Sequence, residues 1–446
     1  MREEGGGLWM RRAVGALGRS QVIKFVLIAG AAVGIGGHLL VGYLGPGDLF
    51  QDFVGAKEFA ARRSMNPTTT MHDRVEYWSE QEHLQFKVLL NWPALRNLQR
   101  SSIDSGARQL VVQAHPPFLI MMMAPLVNLC NSIQRTFLAV TIINVSAYIL
   151  VLMLVWRGTG LSAIAVAGTA GLLALLALDW QPFLANLRQG QVGIMVALLT
   201  TAAWYLLRTK PLMAGSLIGL ATLIKMFPAL LLVWLFLRNR RAFFAAICTV
   251  IIAIIVVYLV RGPDAFVDYS RAAAVVEEEF GRARNNFSLS AIVSYVVAGP
   301  AGKSRSALVA SLFVNLLVFG YTLAVTMRDR QPSQSDIDRE FCCYLVLACL
   351  LSPTAEAFYY PIFLLPIVIV ALGIPSRAIL PRTIPLIGIV CCLSFPDQVV
   401  WRATEYIGHF VGHRIAWLIC SLPTFAMLGL WNSTLRHNPR ASAGVA

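Results

Sequence analysis

Two carboxylates near the start of the chain are spaced for chemistry. Asp48 and Asp52 lie four residues apart in Gly47-Asp48-Leu49-Phe50-Gln51-Asp52-Phe53, which puts both on one face if the segment is helical. Asp48 followed by Gln51 has the form of a capping box, so a helix is expected to begin there, with Asp52 in its first turn. Leu49, Phe53, Ala56 and Ala60 recur at helical spacing and give that helix one apolar face. Such a helix lies at a membrane surface, where a carboxylate can take a proton from an acceptor hydroxyl beside a lipid-linked donor. An acid in the first turn also serves simply to stabilise the positive end of a helix. Spacing alone does not separate these two readings.

Lys225 is the second feature, a single cation inside the apolar run Gly219-Leu220-Ala221-Thr222-Leu223-Ile224-Lys225-Met226-Phe227-Pro228. Holding an ammonium at the bilayer centre costs about 2.5–3.5 kcal/mol or more, so it calls for a partner. A phosphate would be one, because an ammonium steadies charge on a departing group. The alternative is a side chain that snorkels to the surface at a helix break, which Pro228 permits. Arg188-Gln189-Gly190-Gln191 is read as the opening of a membrane helix, with free N–H groups and a glycine that lets a ligand approach. The alternative, which the residue types favour, is a polar membrane boundary. Arg282, Arg284 and Asn286 precede another apolar segment and have the chemistry to grip phosphate and sugar oxygens. His115, before Pro116-Pro117, can bond an acceptor, or can be structural at the start of a span. Tyr359, in Tyr359-Tyr360-Pro361, has the position of an interfacial belt residue.

The elements that must carry these residues follow from composition. The chain has 446 residues, of which 57% are apolar, more than a soluble fold can hide. Predominantly apolar runs, the candidate spans, recur over roughly 22–44, 116–131, 136–156, 160–178, 190–207, 211–237, 243–260, 306–327, 340–352, 357–373, 379–395 and 413–432. The segment 211–237 is expected to split at Lys225 and Pro228, and 289–300 to be a short re-entrant or surface helix. The expected fold is all-α and integral to the membrane, one polytopic domain over 1–446 with about twelve spans. Basic clusters at Arg11/Arg12, Arg208/Lys210, Arg238–Arg241, Arg328/Arg330 and Arg436/Arg440 place both termini in the cytoplasm. Three external loops then follow: 45–115 with interfacial helices, 262–289, and a short one around 352–360.

The net charge of +14 does not indicate nucleic-acid binding, because the basic residues sit in short clusters between spans and form no aromatic-interleaved stripe. The eight cysteines lie in or beside apolar segments without metal-ligand spacing to histidines. A phosphate-binding glycine loop, a zinc-protease HExxH and a nucleophile elbow are all missing. No cofactor or metal is called for. A secondary transporter or flippase remains the alternative to an enzyme; transporters commonly place ionisable groups at the midplane, whereas here the acids cluster in external loops.

Read in order, the motifs resemble glycosyltransferase family 87. They are Asp52-Phe53 with Gly55 and Ala56, Asn66-Pro67, His115-Pro116-Pro117 with Ala124-Pro125-Leu126, Gly190-Gln191, Ala214-Gly215 through Lys225 and Pro228 to Arg238–Arg241, Asn286-Phe287-Ser288, and Ser352-Pro353. The resemblance covers about residues 40–370. It implies a GT-C type membrane bundle with external surface helices, in a bacterial inner membrane, with the active site facing the periplasm. It also implies inverting transfer of a hexose such as mannose from a polyprenyl-phosphate donor to a glycolipid or polysaccharide acceptor. Asp52 matches the position of the general base; Asp48, His115, Gln191, Asn286, Glu356 and Tyr359 would contact substrate, and Lys225, Arg188, Arg282 and Arg284 the donor phosphate. The chain departs from the family where a tryptophan and a histidine are expected after Ser352-Pro353. Glu356 and Phe358 stand there instead, and Val54 replaces an expected aromatic.

Overall fold

A computed structural model describes residues 47–60, 115–160, 180–270, 286–299, 304–328, 331–373, 379–394 and 421–435, with scattered helical positions at 273 and between 403 and 418. The elements described in it are helical, without a strand among them. In order they are α1 (Gly47–Ala60), α2 (Pro117–Cys130), α3 (Ile133–Thr159), α4 (Gln181–Gln189), α5 (Gly193–Leu206) and α6 (Pro211–Ile224), followed by a 3-10 turn (Phe227–Ala229). Then come α7 (Leu230–Arg238), α8 (Arg240–Arg261), α9 (Leu289–Ala298), α10 (Arg305–Arg328) and α11 (Gln334–Leu350). A second 3-10 segment (Ala357–Phe363) leads into α12 (Leu364–Leu372), α13 (Ile379–Leu393) and α14 (Leu422–Leu435). The spans expected over 22–44 and 160–178 lie outside the described residues.

Among the described residues three helices, α3, α8 and α10, are by length and composition able to cross a membrane. On α8 the residues Ile251, Ile252, Ile254, Ile255 and Leu259 are exposed, as are Leu308, Leu312, Phe313 and Leu316 on α10. Continuous apolar ribbons of this kind face lipid, where an apolar surface costs nothing to expose. The helix ends are set by local chemistry. Ser132 caps α3 by accepting from the Arg135 N–H at 3.2 Å, and Asn239 both terminates α7 and caps α8, accepting from the Ala242 N–H at 3.1 Å. Ser333 and Asp336 form a reciprocal capping box at the start of α11.

The tightest helix pair is α6 against α8. Gly215 and Gly219 face Ala242 and Ala246, and a Cβ on Gly215 would lie 1.9 Å from the Ala242 carbonyl oxygen. Small residues four apart on both helices let the backbones touch, the packing mode available when lipid removes the hydrophobic drive between helices.

The bundle has two chemically distinct ends. At one, Trp204 and Arg208 close α5 and Trp234 and Arg238 close α7, and both pairs converge on the first turns of α11. The Trp204 indole donates to Asp338 Oδ1 at 2.9 Å and Arg208 to Oδ2 at 2.5 Å. Trp234 donates to Glu340 Oε2 at 3.2 Å, and Arg238 grips Glu340 through Nε at 2.7 Å and Nη2 at 2.5 Å. At the other end lie the 190–192 turn that precedes α5, the Lys225 break, and the loop from Ser352 into the 357–363 segment, which packs on the start of α5. The expected break of 211–237 is present: α6 stops at Ile224, and helix resumes only after Lys225 and Met226.

Candidate active site

Asp52 is drawn inward by its neighbours along α1. Leu49, Phe53 and Ala56 are fully buried against Leu119, Ile120, Met123 and Val127 of α2. Asp52, on the same face by helical spacing, is only 2% exposed. The helix begins at Gly47, so Asp52 falls in its second turn rather than the first, too far from the N-terminus for capping to explain it. Ala60, expected on the apolar face, is exposed. Asp48 belongs to the same helix. A buried carboxylate requires a hydrogen-bond partner. His115 supplies it, its Nδ1 2.7 Å from Asp52 Oδ1, with the histidine itself buried. His115 precedes Pro116, whose backbone is extended (φ −56°, ψ 148°), and Pro117 opens α2. A residue before proline is held extended, so the imidazole projects from a stiff segment. Five residues beyond Asp52, Lys57 is buried, reaches Asn131 Oδ1 at 3.4 Å and lies 5.6 Å from the Phe53 ring centroid.

The 188–193 segment departs from expectation. Arg188 sits in the last turn of α4 rather than at the opening of a helix, and Gly190 terminates α4 in the left-handed conformation (φ 66°). The next helix begins only at Gly193. A left-handed glycine is a helix stop, so the dipeptide closes one helix instead of starting the next. The open side of Gly190 is taken by protein: a Cβ there would lie 2.6 Å from Leu49 Cβ. Gly190 thus seats α1, and through it Asp52. Gln191 is buried; its N–H donates to the Asn186 carbonyl at 2.9 Å and its carbonyl accepts from Asn144 Nδ2 at 2.8 Å. Asn186 also donates to the Phe358 carbonyl at 2.9 Å, tying α4 to the 357–363 segment. The sequence reading missed Asn144 and Asn186. Asn144, an amide within a 27-residue apolar helix, was the available signal.

Lys225 ends α6 in an extended conformation (φ −140°, ψ 133°) and is buried. Its ammonium lies 4.2 Å from the Tyr359 ring centroid and 4.9 Å from that of Phe358, within cation–π range. Tyr359 stacks on Phe227 at 5.0 Å, and its hydroxyl lies 3.3 Å from Thr354 Oγ1. Tyr359 is therefore part of the Lys225 setting. Ile224, immediately before Lys225, packs on the cluster formed by Leu49, Phe53 and α2. The segments bearing Asp52 and Lys225 are thereby neighbours.

Asn286 is fully buried and acts as a clasp. Its Oδ1 accepts from the Ser288 and Ala355 N–H groups at 3.0 and 2.9 Å, and its Nδ2 donates to the Pro353 carbonyl at 2.8 Å. That use of the amide is structural: it folds the 353–355 loop that leads into Glu356 and Tyr359. The Glu356 carbonyl accepts from the Tyr359 N–H at 2.9 Å. Arg282 and Arg284 lie outside the described residues. Among the described residues, no three His, Cys, Asp or Glu side chains come together as a metal site.

One end of the bundle therefore carries a buried carboxylate with one oxygen held by an imidazole and, on a neighbouring segment, a buried ammonium faced by two aromatic rings. No curated protein and no solved structure matches the chain. The model of glycosyltransferase family 87 does, over residues 114–353. That match takes in His115, Arg188, Gln191, Lys225 and Asn286, while Asp52, Glu356 and Tyr359 fall outside it. Because it covers more than half of the chain, this protein belongs to glycosyltransferase family 87.

Proposed function

We propose that this glycosyltransferase moves a hexose, mannose first among the candidates, from a polyprenyl-phosphate donor to a hydroxyl of a glycolipid or polysaccharide acceptor, with inversion. The observation that carries the reading is the Asp52 carboxylate, buried on α1 with His115 on one oxygen. The acceptor oxygen attacks the anomeric carbon, the bond from that carbon to the phosphate oxygen breaks, and the hydroxyl proton passes to Asp52. A single displacement with one base inverts the centre, by analogy with other glycosyl chemistry. Lys225 stabilises the charge that develops on the departing lipid phosphate, and Arg188, Arg282 and Arg284 supply further positive charge along its path. Asp48, Gln191, Glu356 and Tyr359 contribute sugar contacts, and Asn286 serves by placing the last two.

Family membership favours transfer chemistry over the transporter or flippase alternative. The reading extends to a GT-C type bundle of about twelve spans in a bacterial inner membrane, with termini in the cytoplasm and the Asp52 end facing the periplasm. The test is transfer of radiolabelled sugar from polyprenyl-phosphate mannose, and from the corresponding glucose donor, to a panel of glycolipids in nanodiscs. Asp52→Asn is expected to fall to background while still binding donor. Full activity in Asp52→Asn, or donor binding without transfer by the wild type across the panel, would sink the mechanism.

A further inference from the structure

We infer that His115 is the positioning residue of this site: it donates its Nδ1–H to Asp52 Oδ1 and so aims the other oxygen, Oδ2, at the acceptor hydroxyl. The inference rests on the reading of Asp52 as base and deepens it. A carboxylate has about four lone-pair directions and rotates freely unless something holds it. The 2.7 Å contact from Nδ1 is the hydrogen bond that the described residues give Asp52, and both side chains are buried, at 2% and 9% exposure. The donor is anchored by the prolines that follow it. His115 is held extended by Pro116, and Pro117 locks it to the first turn of α2. The acceptor is anchored by Leu49 on Gly190 and Phe53 on α2. Two residues 63 positions apart in sequence are thus set so that one donor meets one oxygen.

Charge decides which member of the pair takes the proton. The transition state of glycosyl transfer carries positive charge on the sugar ring. A carboxylate beside it is attractive while the proton is moving. An imidazole acting through Nε2 would become a second cation at the same place. His115 therefore orients the base and is not the base.

The test separates the two ring nitrogens. Asparagine places an N–H donor where Nδ1 stands, whereas glutamine places one where Nε2 stands. Using the donor and acceptor pair that the wild type turns over fastest, His115→Asn is expected to keep kcat within about tenfold of wild type. His115→Gln and His115→Ala are expected to lose about 100-fold, with donor KM nearly unchanged, as for misplacement of a reacting group. Thermal midpoints in detergent serve as the folding control; if the alanine variant fails to fold, the asparagine–glutamine pair, alike in polarity, still decides. Asparagine as inactive as glutamine would overturn the proposal and make the imidazole itself the proton carrier. All variants near wild type, with Asp52→Asn inactive, would remove His115 while leaving Asp52 as base. An active Asp52→Asn, or a wild type that transfers to no acceptor, would remove both.

Discussion

Asp52 and Lys225 answer the cost of burial in opposite ways. The carboxylate is bonded to His115; the ammonium lies over the faces of Phe358 and Tyr359. Ring faces attract a cation without adding a formal negative charge, so they place the ammonium without themselves repelling an incoming anion. If Lys225 stabilises the departing phosphate, Lys225→Met should lower kcat by about 100-fold, the scale seen when one preorganised charge-stabilising group is removed. Steady-state kinetics against donor concentration check this, since a role confined to donor binding would raise KM and leave kcat alone.

At the scale of elements, the site depends on how closely α1 can approach the turn between α4 and α5. Gly190 is needed there twice, for its positive φ and for the Leu49 side chain that occupies the space of a Cβ. Gly190→Ala adds a left-handed penalty of about 1–2 kcal/mol and pushes α1 outward. Transfer should fall by about 100-fold or more, because displacements near 1 Å suffice for such losses, while the thermal midpoint drops by only a few degrees. Equal relative losses of activity and stability in parallel assays would argue that α1 is not what positions the base.

The whole bundle is held at the far end by two similar clamps on α11. Each is a tryptophan and an arginine four residues apart at the end of one helix, closing on one acid. Arg238 and Glu340 are both largely buried, at 13% and 16% exposure, whereas in the other pair Asp338 is 13% but Arg208 40% exposed. Removing one partner of a buried pair strands the other, at about 3–5 kcal/mol; where the arginine left behind already reaches solvent, the loss is smaller. Glu340→Ala should therefore lower the thermal midpoint in detergent several times more than Asp338→Ala. Neither should alter donor KM in the fraction that remains folded, since both lie at the end of the bundle remote from Asp52. Comparable midpoints for the two variants would show that the clamps do not differ in burial as described.

Helical, membrane-embedded character, a helix starting near Asp48, and the break between Ile224 and Ala229 were all legible in the sequence. Each follows from interactions within one or two turns: apolar periodicity, an isolated charge, and a proline that cannot continue a helix. Asp52 was likewise readable as a candidate, although its second-turn position and burial were not. Gly190 shows the limit of local reading. A glycine among polar residues carries the same local signature whether it closes a helix or opens one, and only the packing of Leu49 decided the matter. His115 on Asp52, Tyr359 on Lys225 and Asn286 on the 353–355 loop join residues many turns apart. No local pattern encodes such pairs, because they form only where helices with separate sequence signals pack together and a buried polar group must take the partner that packing brings.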